Sequence, residues 1–184
     1  MATEGHNLSE YDLDIIKGCA DFDIGIVVSQ WNADITQNLA MGAMEVFKTA
    51  GITSIKHISV PGSFELPLAA QMLLTKHEFM DGVIVIGNVI QGETKHFDYV
   101  CQGLTQGVMD VMLKFNKPVS FCVLTDLHKQ QSMDRSGGKL NASIRKHFTV
   151  ANTPNYIVFA DLINTNHIQC RFFNIQNNAI SRML

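Results

Sequence analysis

The chain has 184 residues, 46% of them hydrophobic, and a formal net charge of −3. This balance excludes a disordered polymer. The weak acidity excludes a general affinity for nucleic acid or anionic membranes, so an anionic ligand needs a local site.

One domain is the expectation at this length, with roughly 70% of the unfolded surface buried and no covalent staple required. Residues 1–10 are polar and acidic and lack the apolar stretch of a secretory signal. No apolar run approaches the roughly 20 residues that span a bilayer. Cys19, Cys101, Cys122 and Cys170 form no Cys-x-x-Cys pair. Each is expected to act as a small apolar residue in a reducing, cytoplasmic compartment.

Residues 1–21 read as an N-terminal arm. Residues 24–29 form a short β-branched run, expected to be a buried strand. Trp31-Asn32 ends it, with Asp34 as the expected helix cap. Ile35, Leu39, Ala43, Val46 and Phe47 then keep helical spacing, and Gly51 occupies a C-cap position. Residues 55–60 are a second strand, stopped by Pro61-Gly62. Residues 64–74 read as a helix that tolerates Pro67 in its first turn. Residues 82–87 are the clearest strand, apolar on both faces. Residues 97–115 form a long helix, and residues 119–124 a fourth strand.

Strand and helix alternating in this way mean right-handed crossovers and a mainly parallel sheet. Strands apolar on both faces require helices on both sides. The expected class is therefore α/β, a three-layer αβα sandwich around a four-stranded sheet, flavodoxin-like. Ligands of such sheets bind beyond the carboxyl ends of the strands. Those ends carry Trp31-Asn32, Ser63-Phe64-Glu65, the stretch from Asn88 to His96, and Thr125 followed by Arg135.

Gly92-Glu93-Thr94 lies between a strand and a helix, where backbone N–H groups can hold a phosphate; an ordinary loop with a capping threonine is the alternative. His96 opens the long helix, and histidine is the residue type best suited to a general acid/base near neutral pH. Arg135 suits bidentate phosphate binding, or a surface ion pair. Trp31 is the single tryptophan, able to stack on a planar heterocycle or to plug a core or interface. Glu65 can bond the hydroxyls of a sugar-like chain or complement a helix dipole. No His, Cys and carboxylate cluster has metal spacing, and no dinucleotide or Walker loop is present.

Five segments in order resemble the lumazine synthase family. They are Gly25-Ile26-Val27-Val28-Ser29-Gln30-Trp31-Asn32, Val60-Pro61-Gly62-Ser63-Phe64-Glu65-Leu66-Pro67, the run from Ile86-Gly87-Asn88 through Gly92-Glu93-Thr94-Lys95-His96 to Val100, Lys117-Pro118-Val119-Ser120-Phe121-Cys122-Val123-Leu124-Thr125, and Gln131-Ser132-Met133-Asp134-Arg135. The resemblance covers about residues 22–140. It implies condensation of 5-amino-6-(D-ribitylamino)uracil with 3,4-dihydroxy-2-butanone 4-phosphate to 6,7-dimethyl-8-ribityllumazine, the penultimate step of riboflavin biosynthesis, without metal or organic cofactor.

The resemblance also implies roles. Trp31 stacks on the pyrimidine, while Ser63, Phe64 and Glu65 hold the ribityl chain. Asn88, Val89 and Ile90 line the ring pocket, mainly through backbone groups. Phe121 covers the ring from a neighbouring subunit. Glu93 and Thr94 receive the butanone phosphate opposite Arg135, and His96 moves protons. The implied assembly is a pentamer, or assemblies of pentamers, with sites at subunit interfaces.

Two features depart from the family. Gln91 stands where an arginine is usual. Residues 141–184 lack the family's alanine-rich helix and read as an atypical C-terminal segment, for which a changed reading frame is the proposed origin and a divergent tail the alternative. A weakened flavin- or lumazine-binding or shell-forming relative is the competing expectation. A flavodoxin-like binding protein is the third, disfavoured by the histidine beside the phosphate turn.

Overall fold

A computed structural model describes residues 19–137 and the backbone of residues 157–162 and 168–173. Strands β1 (Asp23–Ser29), β2 (Ser54–Val60), β3 (Gly82–Ile90) and β4 (Val119–Asp126) form one sheet in the order β2-β1-β3-β4. Every pairing in it is parallel. The intervening helices are α1 (Ala33–Thr49), α2 (Leu66–Lys76), α3 (His96–Phe115) and α4 (Lys129–Arg135). The expected α/β class and flavodoxin-like order are thus present.

Alternation along the strands builds two cores. Ile24, Ile26, Val28, Ile84, Ile86, Cys122 and Leu124 face α1, whose Ile35, Leu39, Ala43, Val46 and Phe47 cover them. Val27, Val83, Val85, Val119 and Val123 face the other way, under Leu66, Ala70 and Leu73 of α2 and Leu104, Val108 and Val111 of α3. Each Val, Leu, Ile or Phe among them contributes about 1.5–3 kcal/mol when fully buried, so the two apolar layers dominate the fold. Backbone alone is described for β5 (Ile157–Leu162) and β6 (Ile168–Phe173), an antiparallel pair. The remainder of the expected atypical segment 141–184, and residues 1–18 of the expected arm, lie outside the described residues.

Several boundaries differ from expectation by a few residues, and three differences have a clear physical reason. Asn32, not Asp34, is the N-cap of α1, in a left-handed conformation at φ 56° and ψ 50°. Asparagine visits that region far more readily than most residues, and the sharp turn after β1 requires it. Its carbonyl accepts the N–H groups of Ile35 and Thr36. Asp34 sits inside the first turn and pairs with Lys129 of α4 at 2.7 Å. That hydrogen bond holds the Asp34 carboxyl below its usual value.

The helix expected over residues 64–74 begins instead with a tight 3-10 turn, Ser63–Glu65, and turns α-helical at Leu66. Strand β3 runs three residues beyond the expected Gly87, because its ladder with β4 continues to the pair Ile90–Asp126. Asn88, Val89 and Ile90 are therefore held on a strand rather than in a loop. Gly51, at φ 77°, takes the C-cap position assigned to it, just after Ala50.

Candidate active site

The carboxyl ends of β1, β2 and β3 open into one cleft of about 710 Å³. Trp31, Asn32, Ser63, Phe64, Glu65, Asn88, Val89, Ile90, Thr94 and His96 line it, with Gly62, Gly92, Phe97, Tyr99 and Val100. Nine of the twelve candidate residues from the sequence are thus brought together. Glu93, Phe121 and Arg135 are not among the residues lining this cleft.

Each wall has a local cause. The N–H groups of Gln30 and Trp31 donate to the carbonyls of Val60 and Pro61, tying the end of β1 to the loop after β2. The indole is left 70% exposed over the cleft. One carboxylate oxygen of Glu65 accepts the Gly62 N–H at 2.9 Å. Glu65 therefore shapes its own loop while its second oxygen is available to a ligand hydroxyl. Phe64 lies against α3, where Gly103 leaves room for the ring: a Cβ at Gly103 would come 2.7 Å from Phe64 Cε2.

The floor is polar and buried. The Ser63 hydroxyl accepts the Asn88 N–H at 3.2 Å and donates to the Asn88 carbonyl at 3.3 Å. The backbone groups of Asn88, expected to meet the ring, are thus engaged by Ser63. The Asn88 carboxamide oxygen accepts from Asn32 Nδ2 at 2.8 Å, and its nitrogen donates to Ser132 Oγ at 2.8 Å. Asn32 is not among the twelve candidates, although it stands at a strand end and in the first resembling segment. The signal that could have found it is its place immediately after Trp31, at a turn that demands a left-handed residue.

The turn expected to receive a phosphate leads into α3. The Thr94 hydroxyl accepts the His96 N–H at 3.3 Å, so it caps α3, and its own proton is left for a ligand. His96 is the first residue of α3 and is exposed. Gly92 is not at positive φ, and a Cβ there would meet nothing within 4 Å. Its backbone does not need glycine for the turn; the missing side chain clears the approach to the N–H groups.

Arg135 ends α4 and is paired with Asp126 at 2.7 Å, with side-chain exposures of 20% and 9%. Phe121 is half-buried on the edge strand β4 and packs against the core under α2 and α3. Burial pushes the Cys19 thiol up to about 11 and raises that of Cys101, so neither is a nucleophile at neutral pH. Among the described residues no group of three His, Cys, Asp or Glu side chains is placed to hold a metal ion.

The sequence model of the 6,7-dimethyl-8-ribityllumazine synthase family matches residues 21–153, which extends past residue 140. The chain is 50% identical over 141 residues to the 6,7-dimethyl-8-ribityllumazine synthase of Christiangramia forsetii, covering 76% of this chain and 84% of that one. It is 54% identical over 140 residues to the Flavobacterium johnsoniae protein of the same name, covering 75% and 73%. The Cytophaga hutchinsonii protein of that name is 48% identical over 141 residues, covering 76% and 87%. With its parallel sheet, its cleft at the strand ends and these matches, the chain belongs to the 6,7-dimethyl-8-ribityllumazine synthase family.

Proposed function

We propose that this cleft condenses 5-amino-6-(D-ribitylamino)uracil with 3,4-dihydroxy-2-butanone 4-phosphate, with His96 moving the protons. As a family member the chain is a transferase of riboflavin biosynthesis that forms 6,7-dimethyl-8-ribityllumazine. The observation that carries the assignment of roles is the opening of His96 onto the same cleft as Trp31 and Ser63-Phe64-Glu65.

In the reaction a ring amine attacks the ketone and an imine forms with loss of water. Phosphate is then eliminated together with a proton from the adjacent carbon, the enol so formed tautomerises to a ketone, and the second nitrogen attacks that carbonyl and closes the ring with loss of a second water. Trp31 stacks on the pyrimidine, and Phe64, Glu65 and Asn32 position the ribityl chain and the ring edge. Holding two polar substrates in reacting geometry supplies much of the rate. His96 at the cleft edge gives and takes protons during imine formation and elimination. The N–H groups around Gly92, with Glu93 and Thr94, receive the phosphate at the start of α3. With Gln91 in place of arginine, the turn relies on backbone donors and on Arg135.

Arg135 and Phe121 lie off this chain's cleft, and we assign them to the cleft of an adjacent copy in a pentamer. Exposed Phe64, Leu68, Met72, Tyr99 and Leu113 support such an assembly, since together they leave a large apolar surface uncovered. A cytoplasmic location is supported by Cys19 and Cys101, which are thiols outside any disulfide. No helix among the described residues is long and apolar enough to cross a membrane.

Mixing purified protein with both substrates and following lumazine fluorescence tests the assignment. Product formation well above the uncatalysed background is expected; a rate equal to background rejects it. Sedimentation velocity tests the assembly, with a five-chain species expected and a monomer at working concentration contrary to it.

A further inference from the structure

A buried hydrogen-bonded chain leaves the cleft floor and ends on Arg135. Asn32 Nδ2 donates to Asn88 Oδ1 at 2.8 Å, and Asn88 Nδ2 donates to Ser132 Oγ at 2.8 Å. Ser132 Oγ donates to Asp126 Oδ2 at 2.7 Å, and Arg135 Nη1 donates to Asp126 Oδ1 at 2.7 Å. The donors run in one consistent direction from Asn32 to Asp126, and Arg135 closes the chain from the other side. Asn88, Ser132 and Asp126 are 2%, 0% and 7% exposed.

We propose that Asp126 is a positioning residue that orients Arg135 with one carboxylate oxygen and, through Ser132, the Asn88 carboxamide with the other. This rests on the roles given above to Arg135 and to the cleft floor. Asp126 touches no substrate. A guanidinium on a mobile side chain loses affinity for phosphate through the entropy of ordering it, and a buried carboxylate removes that cost in advance. The same carboxylate is the terminal acceptor for Ser132, whose hydroxyl in turn accepts from Asn88. Both protons of the Asn88 amide are occupied, by Ser132 Oγ and by the Leu124 carbonyl at 3.4 Å. That leaves its oxygen aimed at Asn32. The rim asparagine and the phosphate arginine are thereby held by one buried acid.

The helix that carries Ser132 and Arg135 is anchored independently. Lys129 at its start pairs with Asp34 of α1. Ser136 N–H closes its last turn on the carbonyls of Ser132 and Met133. Loss of Asp126 therefore frees two side chains without unseating α4.

The experiment measures KM for each substrate separately, kcat, and competitive inhibition by inorganic phosphate, in full-length Asp126→Asn, Ser132→Ala and Arg135→Ala proteins. Asp126→Asn is expected to raise KM for the butanone phosphate and weaken phosphate inhibition by about tenfold, the scale of a hydrogen bond to a charged group. It is also expected to raise KM for the uracil. Ser132→Ala, which keeps the packing, is expected to raise KM for the uracil alone. Arg135→Ala is expected to raise KM for the butanone phosphate alone, and the Asp126→Asn/Arg135→Ala double variant to add little to it.

Unchanged KM values in both Asp126→Asn and Ser132→Ala overturn the proposal, as does an equal fall of kcat in both with neither KM moved. If Asp126→Asn does not fold, Ser132→Ala decides alone: a uracil KM that does not rise overturns the link. If Arg135→Ala leaves phosphate inhibition intact, the role given to Arg135 fails. If Arg135→Ala weakens that inhibition but Asp126→Asn does not, only the positioning proposal fails.

Discussion

The Ser63 hydroxyl bridges the two backbone groups of Asn88, accepting its N–H and donating to its carbonyl, and so fastens the loop after β2 to the end of β3. Ser63 is 6% exposed, so this is a buried clasp between two walls of the cleft. Gly87 makes the clasp possible, because a Cβ there would come 2.6 Å from Ser63 Oγ and 2.9 Å from Leu66 Cδ1. Gly87→Ala is expected to destabilise the fold by about 1–3 kcal/mol through overpacking. It should also loosen uracil binding. Urea unfolding and the KM for the uracil check this. A variant with both values unchanged contradicts the clasp.

A second contact of the same kind sets the ring of Phe64. The α3 backbone at Gly103 receives Phe64, and at Gly107 it receives Pro67, whose Cγ would be 2.8 Å from an added Cβ. Gly103→Ala improves the helix by up to about 1 kcal/mol in propensity, yet it displaces the ring. The expected outcome is near-normal thermal stability with a raised KM for the uracil. Gly107→Ala, which presses on the less yielding Pro67, is expected to lower the melting temperature.

His96→Ala is expected to lower kcat by about 100-fold, the lower end for a positioned acid/base, with KM for both substrates little changed. His96→Gln separates proton transfer from hydrogen bonding: it keeps a donor at the helix start but cannot titrate. Rates for either variant equal to that of the unaltered protein exclude the proton-transfer role.

Burial is the largest influence on Asp81 and raises its carboxyl above the ordinary value of 3.8, against the hydrogen bond it accepts from the Asp23 N–H at 2.8 Å. The folded chain therefore prefers the protonated acid. Its contribution to stability is complete below pH 3.8 and is lost as pH rises through the raised value. Asp81→Asn keeps an acceptor for that N–H and cannot ionise. It is expected to flatten this part of the stability curve, read from urea midpoints measured at successive pH values.

The elements were legible in the sequence because hydrophobic periodicity reports local geometry. Runs such as Gly82-Val83-Ile84-Val85-Ile86 announce a strand buried on both faces, and the spacing of Ile35, Leu39, Ala43 and Val46 announces the helix that covers it. The cleft was legible where its lining residues follow the strand ends, as with Trp31, Phe64 and His96. Their roles came from the resemblance, since no spacing distinguishes a catalytic histidine from a surface one. Asp34 was misplaced as a cap because residue type alone cannot show that Asn32 must turn left-handed.

Alone, the sequence determined the α/β class, the order of strands and helices along the chain and nine residues of one cleft, because these depend on local pattern and on the rule that parallel sheets bind ligands at their carboxyl ends. Only the tertiary structure decided what each polar group is joined to. The pairs Ser63–Asn88, Asn88–Ser132 and Asp34–Lys129 join residues 25, 44 and 95 positions apart. No local rule predicts such a pair. It exists because folding removes water from those groups, and a buried polar atom must then find its partner within the chain.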